Sequence, residues 1–264
     1  MELIRRKLFL INNYVAKKIW CYSSLVLRDT AIVIPARLAS ERLPFKPLIE
    51  FAGVPMIVRV ALTCHKILNK QNVFVSTPDN EIIDLCRAND IQAIKSNINA
   101  KSGTDRLVEF CSEYKYKEII NVQGDELLLT EDCLRDFITK SSNNKNCTIG
   151  VTQIKDPLEL GKSSVVKVAH SNNKLIYASR SDIPSSAYSE NLKLFKHTGL
   201  YKFTPESLRK FSSYKPGFLE NIEKIEILRL IENRISVDIV ELFDYFFTID
   251  TNEDVLLARS ILEK

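Results

Sequence analysis

The chain has 264 residues, 45% hydrophobic and 27% charged, with a formal net charge of +4. That length accommodates a large α/β domain with a sizeable core, and no run of roughly 18 uncharged apolar residues offers a membrane-spanning helix. Arg5, Arg6, Lys7, Lys17, Lys18 and Arg28, set against Glu2 and Asp29, carry the whole surplus; residues 30–264 are formally neutral and supply no bulk basic groove for nucleic acid.

The six cysteines form neither a CxxC pair nor a Cys/His cluster, and most sit in apolar stretches such as RVALTCHKIL. They read as reduced core residues, which favours a reducing compartment such as the cytoplasm. Residues 1–29 form a basic and apolar extension with two readings. One is a targeting or membrane-surface segment; the other is an extra helix or loose arm. The interrupting Lys17 and Lys18, and the lack of a small-residue cleavage site, favour the second.

From residue 30 onward the grammar is that of one domain, 30–264. TAIVIPA (30–36) is a short apolar run ending in a polar loop, the pattern of a buried parallel strand. VPMIVRVALTCHKIL follows with Met56, Ile57, Val60, Ala61 and Leu68 at helical spacing. NVFVST reads as strand, DNEIIDLCRAN as helix, IQAIK as strand, GTDRLVEFCSEY as helix and EIINVQ as strand. This alternation predicts βαβ units and a mostly parallel sheet flanked by helices. After residue 147 the strand-like segments CTIGVTQI, SVVKVAH, KLIYASR and FKHTGLYKF, separated by polar turns, predict an antiparallel insertion. Helices are expected near 204–212 and 219–233, then a strand at FDYFFTID and a last helix from Asn252.

Ligands in open α/β sheets bind beyond the carboxyl ends of strands, and three polar segments fall there. PARLASERLPFKPL (35–48) gathers Arg37, Arg42 and Lys46, cations suited to a polyphosphate, although a solvated loop would look the same. GxxxxGK[ST] and GxGxxG are both absent, so cationic side chains would carry more of any phosphate binding. NVQGDE (121–126) puts Asp125 just past a strand, where it suits Mg²⁺ or merely a Gly-Asp turn. FTIDTNED (247–254) ends a further apolar strand in Asp250, either a helix-capping neighbour or a second carboxylate facing Asp125.

Taken in order, IPARLASERLPFKPL, KSGTDRL, NVQGDE, FKHTGLYKF, IEKIEILR and IDTNEDV resemble the 3-deoxy-manno-octulosonate (Kdo) cytidylyltransferases over residues 30 to 260. The resemblance implies a nucleotide-diphosphosugar transferase-like α/β fold, a homodimer, and the reaction of CTP with Kdo to give CMP-Kdo and pyrophosphate for cell-surface polysaccharide. It implies that Arg37, Arg42 and Lys46 hold the triphosphate, and that Asp125 and Asp250 ligate Mg²⁺. Arg37, Lys46, Asp125 and Asp250 would form the catalytic set. Thr77, Ser102, Gly103, Arg106 and Gln123 would complete the nucleotide site, with Arg180, His197, Tyr201 and Glu226 facing the sugar acid. On residues alone His197 is an ordinary strand histidine; the resemblance gives it substrate contact, not general-base catalysis.

Four departures bear on these expectations. Phe45 stands in the family's glycine place, Leu127 in its proline place, Pro78 near the base or ribose in place of an aspartate, and Ile227 where a glutamine near the sugar is usual. Ile227 and Pro78 keep other acceptors open: amino-Kdo, another nonulosonic or octulosonic acid, or a different activated sugar. A noncatalytic nucleotide-binding homologue is the further alternative.

Overall fold

The structure is a computed structural model that describes residues 27–40, 42–100, 102–142, 144–185, 187, 193–243 and 248–263. Most of the N-terminal extension, 1–26, lies outside the described residues. Leu27 packs on the core, and the Asp29 carbonyl accepts the N–H groups of Lys117 (2.8 Å) and Glu118 (3.2 Å).

Strand β1 (Thr30–Pro35) is buried along its whole length. Its alternate residues serve two cores, as the two-residue period of a strand requires. Ile32 and Ile34 belong to one apolar cluster, Ala31 and Val33 to the other. The minor hairpin β2 (Glu50–Phe51) and β3 (Val54–Pro55) leads into helix α1 (Met56–His65). Then come β4 (Val73–Thr77), α2 (Asn80–Ala88), β5 (Gln92–Lys95), α3 (Gly103–Glu113), β6 (Glu118–Val122) and α4 (Glu131–Ser141). Helices α1, α2 and α4 cover one face of the sheet through Ile57, Ile82 and Phe137. Helix α3 covers the other with Leu107 and Phe110, joined by Phe211 of the later α5 (Pro205–Ser213).

The remaining elements are β7 (Thr148–Gln153), β8 (Lys167–Ser171), β9 (Lys174–Ser179), β10 (Phe195–Phe203), α6 (Phe218–Glu223), α7 (Leu228–Glu232), β11 (Asp238–Leu242) and α8 (Asn252–Leu262). The sheet runs β5-β4-β1-β6-β10-β7-β11-β9-β8, with β10 also pairing β8. The first four strands are parallel neighbours, whereas β10 runs antiparallel to both β6 and β7. The parallel sheet with an antiparallel portion is therefore as the sequence predicts.

One local expectation is corrected and two elements are added. The helix expected across 219–233 is broken at Lys224, whose φ of 55° ends α6 in a left-handed turn. The strand expected at FDYFFTID falls in large part outside the described residues, and a further strand, β11, lies just before it at Asp238–Leu242, in parallel register with β7. Asp238 and Glu241 dilute the apolar pattern of β11, so the sequence does not single it out. Residues 244–247 are outside the described residues, and Thr248–Asp250 forms neither helix nor strand. Helix α4, whose buried Leu134, Phe137 and Ile138 follow helical spacing after the Thr130 cap, is an addition to the expected elements.

A third apolar cluster explains one departure from the family pattern. Leu127 is buried with Leu43, Phe51, Met56, Ile249, Val255 and Ala258. That cluster fastens α8 and the segment before it onto the loop after β1, setting Asp250 beside Lys46.

Candidate active site

The loop after β1, the turn after β6 and the segment before α8 meet at one point. The Lys46 ammonium donates to Asp125 Oδ2 at 2.6 Å, to the Ile249 carbonyl at 2.8 Å and to Asp250 Oδ1 at 3.2 Å. Arg42 adds an ion pair to Asp250 Oδ1 at 3.1 Å. Burial by itself would lower the Lys46 pKa, but Asp125 and Asp250 outweigh it and hold the ammonium above its ordinary value. Burial, reinforced by Asp125, raises the Asp250 pKa against the opposing pull of Lys46 and Arg42. Two carboxylates thus converge on a position already able to hold a cation, and that donor set fits Mg²⁺, which takes one or two carboxylates plus phosphate oxygens and water.

The two readings of Asp250 can now be separated. Thr251 caps α8, and Asp254 accepts the backbone N–H groups of Thr251 and Asp250, each at 2.9 Å. Capping is thereby done by other residues, and the Asp250 side chain is left to the site. The Gly124 position has its own reason: a Cβ there would lie 2.9 Å from the Pro35 carbonyl, so glycine lets the two loops touch.

Two chambers adjoin at this point. The first, about 810 Å³, is lined by Arg37, Lys46, Ser102, Gly103, Arg106 and Glu226 among others. The second, about 340 Å³, is lined by Glu126, Lys196, His197, Gly199 and Tyr201 among others. Arg42, Gln123, Asp125, Arg180 and Asp250 line both. The carboxylate pair therefore stands on the boundary.

The first chamber has a net cationic lining, with Arg37, Arg42, Lys46, Arg106, Arg180 and Lys224 set against Asp125, Glu220, Glu226 and Asp250. Arg106 is buried and donates to Ser96 Oγ at 3.1 Å and to the Ser102 carbonyl at 3.2 Å. Burial and then the neighbouring Arg37 charge lower its pKa. Arg180 is shifted the same way by burial and by Arg42. A bound polyanion would relieve both repulsions. Ser102 caps α3 in a reciprocal box with Asp105, placing that helix N-terminus at the chamber wall.

The second chamber holds His197 and Tyr201, whose rings lie 4.6 Å apart. Burial depresses the His197 pKa to about 3, so the imidazole is neutral near pH 7 and unsuited to take a proton as a base. Burial raises the Tyr201 pKa well above its ordinary value. Glu126 is pushed up to about 7 by burial and by Asp125, against the bonds from Gly199 and Thr248.

Three expected placements change. Thr77 is fully buried and lines neither chamber; its hydroxyl accepts the Asp79 N–H at 3.1 Å. Asp79 in turn accepts the Leu38 N–H at 2.7 Å, so Thr77 acts on the cationic loop only through that turn. Glu226 lines the first chamber instead of the second, because its carboxylate accepts Thr104 Oγ1 at 2.8 Å and Thr104 N at 3.2 Å. Ile227 is 2% exposed in the core with Leu228, Leu230 and Phe211 and lines neither chamber.

A network of side chains and backbone carbonyls holds the site in shape. Arg180 donates to the carbonyls of Glu223 (2.6 Å), Ser163 (2.6 Å) and Lys224 (3.3 Å), while the Glu223 carboxylate accepts Ser179 Oγ at 2.7 Å and Arg180 N at 2.9 Å. Arg229 pairs with Glu220 at 2.6 and 2.8 Å and reaches Asp105 at 3.4 Å. The segment 220–229 thus braces both Arg180 and the start of α3. Glu223 and Arg229 lie within IEKIEILR, but only the fold reveals their partners.

The chain as a whole is similar to known proteins. The 3-deoxy-manno-octulosonate cytidylyltransferase of Chloroherpeton thalassium is 34% identical over 239 residues, 88% of this chain and 97% of that relative. The 8-amino-3,8-dideoxy-manno-octulosonate cytidylyltransferase of Shewanella pealeana is 30% identical, covering 89% and 98%. A solved CMP:2-keto-3-deoxy-manno-octonic acid synthetase complexed with CTP matches with a TM-score of 0.81 at 29% identity, over 89% of this chain and 98% of its own. A family model described as cytidylyltransferase matches residues 31–239. The chain has the nucleotide-diphosphosugar transferase-like fold and belongs to the cytidylyltransferase family, whose members are nucleotidyltransferases.

Proposed function

We propose that the protein transfers CMP from CTP to the anomeric hydroxyl of 3-deoxy-manno-octulosonate and releases pyrophosphate. The observation that carries this reading is the boundary itself: a cationic chamber and a smaller polar one share Asp125, Asp250, Arg42, Arg180 and Gln123. A triphosphate in the first chamber and an acid in the second would bring the α-phosphorus and the hydroxyl together there. Attack forms the bond from sugar oxygen to phosphorus, the bond to the pyrophosphate leaving group breaks, and the hydroxyl's proton passes to solvent water. Holding both reactants at one boundary replaces an encounter in solution, which is where such enzymes gain much of their rate.

Arg37, Arg42 and Arg106 would bind phosphate oxygens, and Ser102 and Gly103 would line the cytidine side of the chamber. Asp125 and Asp250 would hold Mg²⁺. When bound, the metal would lower the hydroxyl's pKa and offset charge on the departing pyrophosphate. Lys46 fixes the spacing of the two carboxylates from the same side as the first chamber. Arg180, locked by backbone carbonyls, presents a fixed cation to the carboxylate of the acid, and neutral His197 and Tyr201 bound the sugar. The same reading assigns the protein to the cytoplasm as a homodimer, on the pathway to a lipopolysaccharide or capsule.

Incubation of the purified protein with CTP, Mg²⁺ and an equimolar mixture of Kdo and its 8-amino analogue tests the acceptor. Mass spectrometry should find mainly CMP-Kdo. A product composed mainly of the amino sugar would keep the chemistry and move this chain to the activity named for its Shewanella relative.

A further inference from the structure

The Glu126 side chain is 1% exposed and lines the second chamber. Its two oxygens differ. Oε1 accepts the Gly199 N–H at 2.8 Å and the Thr248 hydroxyl at 3.3 Å. Oε2 is buried and has no partner among the described residues. The carboxylate cannot be turned at will, because β10 clasps it closely: a Cβ on Gly199 would lie 2.4 Å from Oε1 and 2.8 Å from Cγ. One oxygen is therefore anchored, and the other is left without a partner among the described residues, in a side chain whose residue lines the chamber.

An unpartnered buried acceptor is a cost to the folded chain that a ligand donor removes. His197 Nε2, in the same wall, is also buried without a partner among the described residues. We infer that Glu126 is a specificity-determining residue: its Oε2 accepts a hydrogen bond from a hydroxyl of the sugar acid and so discriminates against acids lacking that hydroxyl. This rests on the assignment of the second chamber to the acceptor. A site built to bond a hydroxyl rejects the deoxy analogue strongly, whereas an apolar wall discriminates weakly. Glu126 bears no such relation to the nucleotide, since it does not line the first chamber.

The test has two arms. On the wild-type enzyme, pyrophosphate release is measured with CTP and a set of Kdo analogues, each lacking one hydroxyl other than the anomeric one. One analogue should lose at least about tenfold in kcat/KM. In Glu126→Gln, which preserves side-chain size and the Oε1 acceptor, KM for Kdo should rise about tenfold while KM for CTP stays within twofold. That variant should no longer distinguish the critical analogue from Kdo. Equal kcat/KM for every analogue on the wild type would overturn the inference while leaving the functional assignment intact, even if the variant fails to fold. An unchanged KM for Kdo in a folded variant would overturn it as well. No release with Kdo and any nucleotide would overturn the functional assignment, and this inference with it.

Discussion

Lys46 and Asp125 come within 2.6 Å of each other, one from the loop after β1 and the other from the turn after β6. Asp250 shares the same ammonium from the far end of the chain, at 3.2 Å. The contact gathers three separate motifs into one centre and puts that centre between the two chambers. It also gives both carboxylates a partner before any substrate binds, so the site does not depend on a ligand for its charge balance.

The first prediction follows from that balance. Asp125→Asn and Asp250→Asn each leave Lys46 one carboxylate and the Ile249 carbonyl, so the loss of stability should stay below the roughly 3–5 kcal/mol of a buried charge stripped of its partner. Turnover should fall at least about a hundredfold, equivalent to about 2.7 kcal/mol of transition-state stabilisation. Thermal melts and pyrophosphate release on the same preparations check this. A folded variant with full turnover removes that aspartate from the metal site.

Acid stability should carry a signature of His197. The unfolded chain protonates this residue near 6.5, but the native imidazole resists protonation down to about 3. Its contribution is therefore present above pH 6.5 and is lost as pH falls towards 3, by about 1.4 kcal/mol per unit once well below 6.5. Glu126 works in the opposite sense: its contribution is full below 4.5 and is lost as pH rises through about 7. Comparing wild type with His197→Phe separates the two. Between pH 7 and pH 5 the variant should lose about 2 kcal/mol less stability in urea melts. Parallel losses would show that His197 is accessible to protonation in the native state.

Restoring the family glutamine should harm this protein. Ile227→Gln would bury an amide among Leu228, Leu230 and Phe211, at a cost of about 3 kcal/mol from lost apolar contact and an unpaired polar group. Turnover on Kdo should not improve. A stable variant with higher Kdo activity would mean that residue 227 reaches the acceptor.

Phe45 offers the reverse case. It adopts φ 57° at the entry to the Lys46 turn, with its side chain 61% exposed. A left-handed conformation costs a non-glycine residue roughly 1–2 kcal/mol, and this ring recovers little by packing. Phe45→Gly should raise the melting temperature by about 2 °C. A fall in melting temperature would show that the ring contributes more than its exposure suggests.

Much of this was legible in the sequence because parallel strands buried on both faces are continuous apolar runs, and β1, β4 and β6 each end at a polar loop. The cationic loop and Asp125 stood out for the same reason, since charges directly beyond buried strands have few structural uses, whereas Asp250 follows no strand among the described residues and was marked by the motif IDTNEDV. The misplacements have a common cause as well. Thr77, Glu226 and Ile227 sit in segments that neighbour the site, but proximity in sequence cannot say which way a side chain turns. Thr77 turns to Asp79, Glu226 to Thr104 and Ile227 into the core. The bracing by Glu223 and Arg229 was invisible because it joins segments whose adjacency only the sheet order creates.

The central claim is that CTP and a sugar acid meet at the Asp125–Asp250 boundary. The most direct measurement is pyrophosphate release from the purified protein with Mg²⁺, testing CTP, UTP, GTP and ATP against Kdo. Release with CTP and Kdo, dependent on both and far weaker with the other nucleotides, is the predicted result. No release from folded protein that still binds CTP would contradict it and leave a nucleotide-binding homologue without this transfer activity.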